Sequence, residues 1–348
     1  MKATYRALFA GACIALAGAL PAAAQSPADF YKSKNLTIML GHPPGGSYDL
    51  YARLAAEFLP KYLPGNPTVI VQHKPGGGGV VAAGWFYAQA PRDGSMIALF
   101  PETLAHTQIL EPEVGKWKVQ EMTYIGSFAP VNAAFVVRKG APAKTTDEMR
   151  KTTTTVGCTG VNSQSYQFPS MLKSLAGFKF NIVCGYKGGK DALLALERGE
   201  VDLVSSAWNS LRSGHKGALE SGEMTPVMQA GLRRLPELKN VPLMQEVVED
   251  PKQKKIFEFA SAGSAIGRAL LAPPQVPAER IAVLREAFDK MVKDPDFLAA
   301  AEKRRAEIDP TPGAEVQKYS EEILNTPPDL VAAATKAMAG DAAKAKKK

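Results

Sequence analysis

Residues 41–49 read Gly-His-Pro-Pro-Gly-Gly-Ser-Tyr-Asp, and residues 73–79 read His-Lys-Pro-Gly-Gly-Gly-Gly. Each stretch follows an apolar run and precedes a helical pattern, so each is a loop between the carboxyl end of a strand and the start of a helix. Exposed N–H groups and the helix dipole at such a junction favour an anion. Glycine lets the backbone approach closely and take positive φ. Two such loops together could make an anion pocket of main-chain amides, with no lysine or arginine required at its centre. The plain alternative is a pair of tight turns.

Other chemistry finds less support. Gly77-Gly78-Gly79-Val80-Val81-Ala82 satisfies G-x-G-x-x-A after a strand, and Glu102 follows at about the distance of a ribose-binding acid, but the pattern alone is weak. No serine has glycine at both neighbouring-but-one positions, so a nucleophile elbow is missing. There is no G-x-x-x-x-G-K-[ST] loop. Histidines 42, 73, 106 and 215 show no metal-binding spacing. No catalytic residue, cofactor or metal is called for. His42 and His73 adjoin the glycine loops, where a pH-sensitive site is conceivable.

The elements that must position these loops alternate. Short apolar runs at 36–41, 68–72, 96–100, 123–128, 134–138, 154–158, 181–185 and 201–205 read as strands. Helical patterns lie at 48–63, 80–90, 164–176, 189–198 and 209–221. Strands separated by helix-length segments imply βαβ units and mainly parallel sheets covered by helices. In the helix after the first loop, Ser47 is the expected N-cap, with Asp49 in the first turn. Tyr51, Leu54, Ala55, Phe58 and Tyr62 share its apolar face. Changes of unit near 129–145 and 225–242 enclose a compact block. The expected architecture is α/β with two lobes: 25–129 plus 238–340, and 130–237, with a ligand cleft between them.

The chain has 348 residues and a net charge of +8. Lys2 and Arg6, the apolar stretch Ala7–Leu20 and Ala22-Ala23-Ala24 read as a secretory signal over residues 1–24. A net three of the positive charges lie in Asp341–Lys348, expected as a basic flexible tail. The body is mildly basic, with no Lys/Arg cluster interleaved with aromatics that would mark a nucleic-acid partner. Cys158 and Cys184 survive removal of the signal. They end consecutive strands and could close a loop of about 25 residues, or stand as separate thiols.

The stretch "LTIMLGHPPGGSYDLYARLAAEFL" resembles the first strand, loop and helix of the Bug family, the TctC-type receptors of tripartite tricarboxylate transporters. "VIVQHKPGGGGVVAAGWFYAQAPRDGSMIALF", "VGCTGVNSQSYQFPSML" and "VCGYKGGKDALLALERGEVDLVSSAWNS" resemble later segments of that family, in the right order. The resemblance implies a periplasmic, monomeric two-domain receptor that closes over a small carboxylate and delivers it to membrane transporter subunits. A receptor presenting the acid to a membrane sensor would have the same sequence features.

Carried onto this chain, the resemblance places Pro44, Gly45, Gly46, Ser47, Tyr48 and Asp49 in the first loop, Asp49 ordering it rather than touching the ligand. Gly77, Gly78 and Gly79 form the second loop. Ser163, Gln164 and Ser165 start a helix in the second domain. The chain departs from the family pattern at His73, Pro101-Glu102, Thr107 and Trp208-Asn209. Glu102 reads as a ligand acceptor or a solvated loop residue, and Trp208 as a cleft wall or plain core. Trp208 and Tyr48 together would shape the distal pocket.

Overall fold

The computed structural model describes residues 26–345 with the exception of Asn162. The leader expected over 1–24 lies outside the described residues. Among the described residues, eleven strands form two sheets. β1 (Leu36–Leu40), β2 (Val69–His73), β3 (Met96–Leu99), β4 (Thr123–Ser127), β10 (Ala269–Ala272) and β11 (Thr311–Pro312) make the first, in the order β11-β4-β10-β3-β1-β2. β5 (Ala133–Arg138), β6 (Thr154–Cys158), β7 (Phe180–Cys184), β8 (Leu203–Ala207) and β9 (Met224–Ala230) make the second, in the order β7-β6-β8-β5-β9.

Both sheets are mixed. β1 runs parallel to β2 and β3, and β6 runs parallel to β7 and β8, as expected of βαβ units. β10 is antiparallel to β3 and β4, and β5 is antiparallel to β8 and β9. β5 and β10 enter their sheets from passages between lobes, whereas β11, antiparallel to β4, follows the helix Pro295–Lys303. β5 follows β4 after five residues, and β10 follows the return passage. The strands not foreseen from the sequence have physical reasons. β9 carries Pro226 on an edge strand beside a register shift. β10 is four residues long and β11 two.

The two passages are hydrogen-bonded to each other. Phe128 N–H donates to Arg268 O, Arg268 N–H to Ala129 O and Val131 N–H to Ser264 O. Gly267 has φ +60°, and a Cβ there would lie 2.0 Å from Ala129 O, so only glycine fits this crossing.

The helix Ser47–Phe58 buries Tyr51, Leu54 and Ala55 against the first sheet, with Phe58 and Tyr62 packed alongside. A tight turn at Leu59–Tyr62 ends it at Pro60. The pattern at 209–221 resolves into two helices, Trp208–Gly214 and Lys216–Glu220, broken at His215. One apolar core lies between the first sheet and the helices Ser47–Phe58 and Ala278–Met291. A second runs on from the first sheet to the second, joining Phe86 and Phe100 to Phe135, Phe168 and Phe257. The third covers the far face of the second sheet. Leu238 and Val241 carbonyls accept from Gln229 of β9. The helix Pro328–Ala345 packs on Gln164–Ala176 and runs through the first five residues of the expected tail. Among the described residues, no helix is long and apolar enough to cross a membrane.

Candidate functional site

The two glycine loops sit side by side at the carboxyl ends of β1 and β2. A Cβ at Gly41 would lie 2.7 Å from Gly79 Cα, and one at Gly79 would lie 2.9 Å from Pro101 Cγ. Gly76 to Gly79 all have positive φ, a run that only glycine sustains without strain. It leads directly into the helix Val80–Gln89.

Asp49 holds the first loop. Its Oδ2 accepts from Gly45 N–H and from Arg53 Nε, both at 2.9 Å. Its Oδ1 meets His73 Nε2 at 2.8 Å. Burial alone would raise the Asp49 pKa, but the hydrogen bonds from Arg53, Gly45 and His73 outweigh it and hold the carboxyl below its usual range. Asp49 therefore ties the first loop, its own helix and the end of β2 together. Ser47 is not the N-cap. Gly46 takes that place, and Ser47 is the first helical residue, buried with its hydroxyl turned to Arg268.

Arg268 is the residue that the sequence did not bring to the site. It is 1% exposed. Its Nε donates to Ser47 Oγ at 2.7 Å and its Nη1 to Glu102 Oε2 at 2.8 Å. Its guanidinium lies 4.1 Å from the centroid of the Tyr48 ring. Tyr48 OH donates to the same Glu102 Oε2 at 2.9 Å, and the His42 ring stacks on Tyr48 at 4.4 Å. Glu102 is thus a buried ion-pair partner and not a solvated loop residue, and Tyr48 is packed into the cluster and half-buried. Burial, with the Arg268 charge beside it, pushes the His42 imidazole down to about 4, so it is neutral near pH 7. Burial raises the Tyr48 phenol well above its ordinary value.

The sequence reading required no lysine or arginine at the centre, and the return passage nonetheless delivers a cation some 220 residues downstream of the first loop. The signal was present in the sequence: one arginine between a glycine and the apolar run Ala-Leu-Leu-Ala. A buried arginine needs a partner, and that is reason to suspect a site.

The second lobe meets the loops with the hydroxyls of Ser163 and Ser165 and with Lys190 of the helix Gly189–Glu197, whose Nζ lies 3.9 Å from where a Cβ on Gly45 would stand. Ser163 precedes the helix Gln164–Ala176. Its hydroxyl donates to Gly160 O and meets Ser165 Oγ, each at 2.7 Å, while Ser165 Oγ accepts from Thr159 N–H. A Cβ on Gly78 would lie 3.2 Å from Ser163 Cβ, and one on Gly188 would lie 3.1 Å from Pro43 Cγ. The lobes therefore touch at both loops. Asn209 adds a third contact, its Nδ2 donating to Tyr51 OH at 3.2 Å. Pro44 and Gly45 stay exposed, and Gln164 is half-buried at the helix start.

Trp208 is buried. It packs in the core on the far face of the second sheet, with its indole N–H on Glu237. Cys158 and Cys184 stand opposite each other on β6 and β7, 4.5 Å apart at Cα, and are joined by a disulfide. No cluster of three or more His, Cys, Asp or Glu among the described residues could hold a metal.

The sequence and the fold match a known set of proteins. A profile of the TctC family, the tripartite tricarboxylate transporter family receptor, matches residues 51–330. The chain belongs to this family. A UPF0065 protein from the TAR-I ttuE-ttuC' intergenic region of Agrobacterium vitis is 28% identical over 314 residues, covering 87% of this chain and 85% of its own. The periplasmic binding protein BugD superposes with a TM-score of 0.70 at 21% identity, covering 88% of this chain and 98% of that one. MatC of Rhodopseudomonas palustris, solved with bound malate, gives 0.67 at 20% identity, covering 86% and 99%. The two-lobed architecture is thus that of periplasmic binding proteins, and the chain is an extracytoplasmic receptor of the tripartite transporter family.

Proposed function

We propose that this receptor captures a small carboxylate between its lobes and hands it to the membrane subunits of a tripartite transporter, without performing chemistry on it. The observation that carries the reading is the convergence of three helix starts, Ser47–Phe58, Val80–Gln89 and Gln164–Ala176, on the place where the glycine loops meet the second lobe. The first-turn amides of a helix have no acceptors within it; here Val80 and Val81 N–H are taken by Gly77 O and Gly76 O of the loop, and the charge of Arg268 beside them is balanced by Glu102. The MatC neighbour with its bound malate agrees with a carboxylate ligand. In this reading residues 1–24 are a cleaved export signal, 25–129 with 238–340 form one lobe and 130–237 the other, and the receptor works as a monomer.

Thermal-shift screening of the mature chain against mono-, di- and tricarboxylates and aromatic acids tests this. A ligand that binds only the folded state raises Tm. One class of acid should raise it strongly while its amides and esters do not. A shift with dinucleotides and none with any acid would overturn the reading.

A further inference from the structure

Two loops of the second lobe reach the glycine loops, and they start from neighbouring strands. β6 ends at Cys158 and β7 at Cys184, opposite each other in register. The loop after β6 meets the second glycine loop. A Cβ on Gly160 would lie 3.5 Å from Gly78 N, and one on Gly78 would lie 3.2 Å from Ser163 Cβ. The segment after β7 meets the first glycine loop. A Cβ on Gly188 would lie 3.1 Å from Pro43 Cγ, and one on Gly45 would lie 3.9 Å from Lys190 Nζ. The disulfide between Cys158 and Cys184 therefore joins the roots of both contacts.

The two roots are not equally secure. β6 lies between β7 and β8. Its loop is fastened by Thr159 N–H donating to Ser165 Oγ, and by Ser163 N–H and Oγ donating to Gly160 O. β7 stands at the edge of the sheet, beside β6. Beyond the strand its pairing continues by one bond, Gly185 N–H donating to Cys158 O at 3.2 Å. The end of a strand held from one side is where a sheet opens first. The covalent bond sits at that end, one residue before the loop.

We propose that this disulfide is a positioning element of the ligand site: it holds the segment after β7 so that Gly188 and Lys190 stand where the first glycine loop meets them. This rests on the carboxylate-receptor reading above. Without the bridge, that segment must be ordered when the lobes close on the ligand, and the cost of ordering is subtracted from the binding free energy. The bridge then acts on affinity in the folded chain, beyond its effect on the unfolded one.

Calorimetric titration tests this with the acid that gives the largest thermal shift. The mature wild-type chain and Cys158→Ala/Cys184→Ala are compared at a temperature where both are fully folded. The bridge-free chain should bind about tenfold more weakly. Gly188 has φ −164°, extended backbone that any residue adopts, so Gly188→Ala only presses a methyl toward Pro43. It should weaken binding about threefold or more in the bridged chain and less in the bridge-free one, whose loop yields. If the bridge-free chain fails to fold, Gly188→Ala decides by itself, and unchanged affinity overturns the inference. Equal affinity with and without the bridge overturns it too, whatever happens to Tm, and leaves the disulfide a stabiliser of the fold alone. Equal effects of Gly188→Ala in both chains, or two reactive thiols per native wild-type chain, also overturn it. Failure of every acid to bind the bridged chain overturns the receptor reading, and this inference with it.

Discussion

The two walls of the cleft are built on different principles. The first lobe presents glycine backbone over a buried charged floor, with Asp49, Glu102 and Arg268 all at most 5% exposed. The buried polar residues of the second lobe, among them Ser163, Ser165, Ser205, Ser206 and Asn209, are all neutral, and the cation it brings to the loops, Lys190 beside Gly45, is exposed. The difference matters for closure. Charged groups are costly to desolvate, and here they are desolvated permanently within one lobe by the crossing passages and the helix Ser47–Phe58. The contacts of the second lobe with the loops then involve no buried charge, Lys190 being exposed.

Three measurements can break or sharpen that contrast. The largest effect should come from the floor. Arg268→Met leaves Glu102 buried without its cation and should cost about 3–5 kcal/mol of unfolding free energy in urea, most of it recovered in the double variant with Glu102→Gln. A cost under about 1 kcal/mol would mean that the floor is hydrated and the contrast is wrong.

Acid comes next. Burial depresses both His42 and His106 to about 4. Between about pH 6.5 and pH 4 the unfolded chain therefore binds more protons than the folded one at these sites. Their stabilising share is intact above about pH 6.5 and is lost as the pH falls, by about 2 kcal/mol for each at pH 5. Both belong to the first lobe, so hydrogen exchange across that range should show the first lobe loosening before the second. Uniform loosening would count against two separate walls.

The smallest effect should lie at the contact between walls. Gly78→Ala places a methyl 3.2 Å from Ser163 Cβ on a residue with φ +68°. It should destabilise the chain by roughly 1–2 kcal/mol and weaken ligand binding by holding the lobes apart. Ser163→Ala should leave stability within about 1 kcal/mol. Equal loss of affinity in both would assign the effect to the Ser163 hydroxyl instead of to the closeness of the backbones.

Local patterns carried much of this molecule in legible form. The eight strands from β1 to β8 announced themselves as apolar runs between turn signals. The period of Tyr51, Leu54 and Ala55 marked the buried face of the first helix. The glycine loops told of their own geometry because only glycine sustains the φ values of residues 76–79, and adjacent strand ends put Cys158 within reach of Cys184. All of these are properties of residues near one another in sequence.

What only the tertiary structure decided is what those elements meet. Pro226 hid β9, and β10 was too short to stand out among apolar residues. The direction of β5 and β10 follows from the passages between lobes, which no local period encodes. Glu102 looked like a solvated loop residue until Arg268 arrived on the return passage, and Trp208 looked equally suited to wall or core until its indole turned to Glu237. Period and propensity act over a few residues, whereas a buried ion pair depends on which distant segment fills the remaining space. The sequence by itself determined the elements, the loops and the class of receptor; the tertiary structure decided the charge at its floor, because that charge is assembled from Tyr48, Glu102 and Arg268, which only the closed fold brings together.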